Sequence, residues 1–161
     1  MIKMRKGGFS LIEIVIVIAI ISIALMSIIS FFIFSRGVNF KMARNTEATS
    51  LAEEGMEAVR KLRDAGWLAN ITPLASGTTY YLKFSGSSWT LDTNNSGIIK
   101  GLYTRTVKFE DVFRDATTSN ISTSGTADLD TKKLTVRVSW VETGQTKEVV
   151  LTTYITNFQS N

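Results

Sequence analysis

Residues 6–13, Lys6-Gly7-Gly8-Phe9-Ser10-Leu11-Ile12-Glu13, run directly into Ile14–Phe34 (IVIVIAIISIALMSIISFFIF), twenty-one residues without a single charge. At about 1.5 Å of rise per residue such a helix is about 31 Å long, which matches the hydrocarbon thickness of a bilayer. The carboxylate of Glu13 stands at the mouth of this run. An acid inside a span costs about 2.5–3.5 kcal/mol on insertion scales, so such residues are retained for a function. Lys3, Arg5 and Lys6 precede the run and place the N-terminus on the cytoplasmic side, whereas Arg36, Lys41 and Arg44 beyond it pull the other way. The basic start is that of a secretory signal, but no A-x-A site follows the run. The small residues, Gly7 and Gly8, come before it, so cleavage there leaves the apolar segment on the mature chain.

The block KGGFSLIE, with its basic leader and long apolar sequel, resembles the type III signal of type IV pilins and of the pseudopilins of type II secretion and competence systems. The resemblance implies a leader of residues 1–8, cut after Gly8 by a prepilin peptidase that also N-methylates the new terminus, Phe9. It implies that Glu13 is an assembly residue, meeting the terminal amine of a neighbouring subunit. The partners that follow are other pilin or pseudopilin subunits, an inner-membrane assembly platform and the cytoplasmic membrane itself. The implied location is single-pass in that membrane with the head outside, and then an extracellular or periplasmic filament. Many pilins carry a proline in the apolar run. Here Ser22, Ser27 and Ser30 occupy the stretch and the only proline is Pro73; serines bonding back to the preceding turn bend a helix only slightly.

Composition narrows the function classes. The net charge is +4 with 18 Lys and Arg against 14 Asp and Glu, but three of the positives lie in the first six residues. The remainder is near balance and offers no basic surface for duplex DNA. There are no cysteines and no histidines, which removes thiolate metal sites, disulfides and the commonest general base. A structural subunit is therefore expected rather than an enzyme, with no cofactor. The alternatives are a minor tip or initiator subunit whose head touches cargo, a surface or DNA, and a membrane-anchored enzyme or sensor.

From Thr46 the pattern becomes amphipathic. Ala48, Leu51 or Ala52, Gly55, Ala58 or Val59, and Leu62 recur at the helical interval. One helix is expected from about Phe9 to Ala65, dipping at Gly37 and stopped by Gly66. Residues 9–35 form its transmembrane part and 36–66 its amphipathic part, with Glu57 and Lys61 set for an i,i+4 pair. The acids Glu53, Glu54 and Glu57 read as a solvated face, and Gly55 as a point of close packing on strands or on a neighbouring subunit.

Residues 67–161 turn to Thr, Ser, Gly and aromatics. Strands are expected at 78–84, 88–91, 102–109, 134–140 and 148–155. The last two form a hairpin whose apolar face, Leu134, Val136, Val138 and Trp140, covers the helix stripe. The fold class is thus α+β and type IV pilin-like: a long N-terminal helix packed on a C-terminal antiparallel sheet. The stretches 90–97 and 116–131 read as exposed loops. Within the second, Asp128 and Asp130 are candidate calcium ligands, though two carboxylates fall short of the usual six oxygens. Glu110, Asp111 and Asp115 read as salt-bridge partners of Arg105 or Arg114. Trp67, Trp89 and Trp140 read as core rather than as a stacking platform.

Overall fold

A computed structural model describes residues 8, 10–95 and 97–158. The chain divides into two compact units, Met1–Arg44 and Asn45–Asn161. The element that opens it, α1, is a single α-helix over Leu11–Ala65, 55 residues long. It runs through Gly37 without the expected dip, because one glycine costs a helix only about 1 kcal/mol and no proline is present to break the ladder. The hydroxyls of Ser22 and Ser27 donate to the carbonyls of Ile18 and Ile23 at 2.8 and 2.9 Å, as serines in an apolar helix do.

In the second unit the stripe is buried as the periodicity requires. Ala48, Leu51, Ala52, Gly55, Met56, Ala58 and Val59 all lie inside. The helix ends at Ala65, where Gly66 takes φ 150° and its N–H donates to the Arg63 carbonyl. A single turn, α2 (Trp67–Asn70), then buries Trp67.

The rest is one antiparallel sheet. Its strands are β1 (Thr79–Ser85), β2 (Ser88–Asp92), β3 (Thr104–Arg114), β4 (Ile121–Ser122), β5 (Thr126–Glu142) and β6 (Gln145–Thr156). They are ordered β2-β1-β3-β5-β6, with β4 paired to β3. Alternation along β3 and β5 sends Val107, Phe109, Leu134, Val136 and Val138 inward with Tyr103, which directly precedes β3, all essentially fully buried. Burying each such side chain is worth roughly 1.5–3 kcal/mol, which holds the helix stripe to the sheet. Trp140 joins them and packs edge-on against Tyr103 at 5.8 Å.

Several boundaries differ from expectation, among them the end of β3, which runs past Phe109 to Arg114. The stretch 116–131 is not one loop: Ile121–Ser122 pairs with β3, and β5 begins at Thr126. Polar composition concealed these strands because they lie at the sheet's exposed end, beyond a register shift at Asp111/Val112, where no core face has to be filled. The final hairpin is also tighter than its ETGQTK sequence suggested. Glu142 pairs with Gln145, and only Thr143 and Gly144 turn the chain, at φ 47° and 75°. Both positive values define a type I′ turn, whose twist suits the flanking strands.

Gly55 is the point of closest approach. A β-carbon there would lie 2.9 Å from Val136 Cγ1 and 3.1 Å from Arg105 Cδ. Replacing Gly55 with Val is expected to destabilise the head by about 1–3 kcal/mol, since overpacking outweighs the gain in helix propensity. Urea unfolding followed by tryptophan fluorescence would show this as a lower midpoint; an unchanged midpoint would mean the helix can lift from the sheet without penalty.

Candidate functional site

The start of α1 is built from Ser10. Its carbonyl accepts the N–H of Glu13 at 3.0 Å and of Ile14 at 3.2 Å, which makes Ser10 the residue on which the helix begins. Glu13 therefore lies in the first turn, where the unsatisfied N–H groups and the helix dipole favour a carboxylate. The spacing Ser10-x-x-Glu13 is that of a capping box, a local reason for the acid that the sequence reading above did not use. Gly8 is exposed, with nothing within 4 Å of where a β-carbon would sit. Phe9, the expected methylation position, lies outside the described residues.

Beyond Glu13 the helix is an apolar rod. Its best window has a mean hydropathy of 3.0 with no buried residue, and every side chain from Leu11 to Phe34 is exposed. A soluble protein's core helix with this composition would be covered. This one is long and apolar enough to cross a membrane, and within its own chain it has no cover.

The head distributes its charges differently from the sequence expectation. Arg105 does not pair with Glu110, Asp111 or Asp115. Strand alternation turns it inward with Tyr103, Val107 and Phe109, where it is 5 % exposed. There its Nη1 donates to the Leu51 carbonyl at 3.0 Å and to Glu54 at 2.9 Å, tying the sheet to the helix. Its guanidinium also lies 5.2 Å from the Trp89 ring centre. The parity of Tyr103, Arg105, Val107 and Phe109 in LYTRTVKF was the available signal. Glu57 pairs with Arg60 one turn on, rather than with Lys61. Glu47 receives Lys100 at 2.7 Å and the Tyr103 hydroxyl at 3.0 Å.

Glu110 and Asp111 are engaged by lysines, and the other acids of this end of the sheet by different groups. Glu110 accepts from Lys133 at 3.0 Å and Lys108 at 3.2 Å, and Asp111 from Lys132 at 2.5 Å. Asp115 closes its own loop by accepting from Thr117 and Thr118. Asp128 is bound by Arg114 at 2.6 Å, and Asp130 by the Asn157 amide at 3.1 Å. Among the described residues no group of three or more metal-ligating side chains gathers about them. Trp67 and Trp140 are buried, while Trp89 is half-buried against Phe84 at 5.0 Å, so the three present no common stacking face.

The lysines hold the carboxyls of Glu110 and Asp111 below their ordinary range: Lys133 and then Lys108 act on Glu110, and Lys132 dominates at Asp111. A depressed acid contributes stability above its unfolded pKa and loses it as pH falls through the folded value. Head stability should therefore be level near neutrality and decline below about pH 4. Substituting both Lys132 and Lys133 with Gln should flatten that decline in thermal melts run from pH 7 to pH 3. An unchanged profile would show that these pairs do not couple to folding.

Residues 3–34 match the family model described as the prokaryotic N-terminal methylation motif. No curated protein and no solved structure matches the chain.

Proposed function

We propose that this chain, which carries the N-terminal methylation motif and has the α+β layout of a type IV pilin, is the precursor of a type IV pilin-like filament subunit. The motif points to a structural subunit rather than an enzyme, and it implies processing by a prepilin peptidase and assembly with other pilins. The observation that carries the reading is the uncovered apolar rod of Leu11–Phe34. A surface of this kind is stable in lipid, and it is equally satisfied when the same segments of other subunits surround it. One segment thus serves as membrane anchor before assembly and as filament core afterwards.

In this reading residues 1–8 are the leader, the peptide bond after Gly8 is cut, and the amine of Phe9 is methylated. The exposure of Gly8 and the open space about it suit a peptidase that must close on this bond. Methylation leaves the amine protonated. In the first turn of α1 the Glu13 carboxylate then has a cation of a neighbouring copy as its counter-charge, and burial of both is offset only when that neighbour is in register. The pairing selects a docking position more than it adds raw affinity.

Intact-mass analysis of protein from membranes of cells that contain a prepilin peptidase should give a chain beginning at methylated Phe9. A chain beginning at Met1 overturns the reading. The variant Glu13→Ala should be cut normally yet enter sheared filaments about tenfold less, equivalent to a loss of about 1.4 kcal/mol. Normal incorporation would remove Glu13 from assembly while leaving the processing site intact.

A further inference from the structure

We propose that residues 35–44 form a cationic collar that binds anionic phospholipid headgroups at the end of the span remote from the N-terminus; this rests on the reading that α1 crosses a membrane. Between Glu13 and Glu47 the chain has no acidic residue, and within that interval its only charges are Arg36, Lys41 and Arg44. All three follow the apolar run. Arg36 and Lys41 are exposed and enter no ion pair among the described residues. The segment remains apolar between its charges: Val38, Phe40 and Met42 are 38, 62 and 63 % exposed. A collar made only for water would not alternate cations with uncovered Phe and Met.

The axial distances decide which cation reaches what. Counting from Phe34, Arg36, Lys41 and Arg44 stand about 3, 10 and 15 Å along the helix. The headgroup layer is about 5–8 Å deep on each side of the hydrocarbon. Arg36 is inside it, the long Lys41 side chain reaches back into it, and Phe40, about 9 Å along, stands at its outer edge. Arg44 lies about 7–10 Å beyond its aqueous edge, about one Debye length of 8 Å, and acts through the field. The head itself is near charge balance, with 12 Lys and Arg against 13 Asp and Glu in residues 45–161.

Charge and apolar surface together fit an amphiphilic anion, a phosphatidylglycerol-type headgroup with its chains in the bilayer, better than a free phosphate. Such an attachment would hold the subunit at the leaflet until assembly withdraws it.

The test uses the full chain in nanodiscs of equal phosphatidylcholine and phosphatidylglycerol, in a Lys3→Gln, Arg5→Gln, Lys6→Gln background that removes the leader's own attraction. Native mass spectrometry of the released protein reads the bound lipid. Phosphatidylglycerol adducts should exceed phosphatidylcholine adducts by about tenfold or more, each nearby cation contributing roughly fivefold. Adding Arg36→Gln, Lys41→Gln and Arg44→Gln should return the ratio to that of the bulk, whereas Arg36→Lys with Arg44→Lys should retain it. Enrichment that survives the three glutamines overturns the collar, as does its loss in the lysine variant. Glycerol 1-phosphate displacing the lipid would overturn the lipid as ligand and leave a simple phosphate site. None of these readouts depends on cleavage after Gly8 or on filament formation, so failure here is distinct from failure of the proposed function.

Discussion

Where Gly55 faces Val136, helix and sheet approach so closely that even a methyl group has no room, and the rest of the head is arranged around that contact. Small residues continue the approach on either side, with Ala48, Ala52 and Ala58 buried along the same stripe. Larger side chains come from both elements, Leu51, Met56 and Val59 from the helix and Phe109, Leu134, Val107, Val136 and Val138 from the sheet. A glycine in mid-helix costs about 1 kcal/mol in propensity, which the burial it permits more than offsets.

Arg105 lies within this seam and explains why one charge is tolerated in it. Its guanidinium reaches a helix carbonyl and the Glu54 carboxylate while resting near the Trp89 ring. A buried cation with partners on the opposing element does little for stability against an apolar isostere, but it penalises other registers of helix on sheet. The cross-strand pairs on the outer face, such as Arg137 with Glu148 at 2.6 Å, are exposed and individually worth about 0–1 kcal/mol. They give the sheet a charge-balanced exterior, with its carboxylates engaged by lysines and arginines rather than left convergent.

The helix itself meets two environments. From Ile14 to Phe34 every side chain is exposed and none is charged; from Ala48 one stripe is buried and the charges lie on the other positions. Local helical structure is the same in both stretches because backbone bonding does not distinguish lipid from protein. Side-chain chemistry alone sets what each stretch requires: the first calls for apolar surroundings, and the second is covered by its own sheet.

Much of this was legible in the chain. The charge-free run, the Glu13 at its mouth and the Gly8-Phe9 junction are local features, readable because hydropathy and motif spacing need no tertiary context. The helix stripe and the final hairpin were legible because periods of 3.6 and 2 survive in sequence. What escaped depended on neighbours. The Thr126 start of β5 and the short β4 follow from pairing with β3 at an exposed end, where composition carries no core signal. The partners of Glu110, Asp111 and Asp128 followed from cross-strand register, since Lys133, Lys132 and Arg114 are 23, 21 and 14 residues away. The inward turn of Arg105 was decided by strand parity against a core already defined. Sequence by itself determined which segments seek an apolar environment and where the helix begins and ends. Only the tertiary structure decided which charge meets which, because an ion pair is fixed by the distance between side chains that folding brings together from separate parts of the chain.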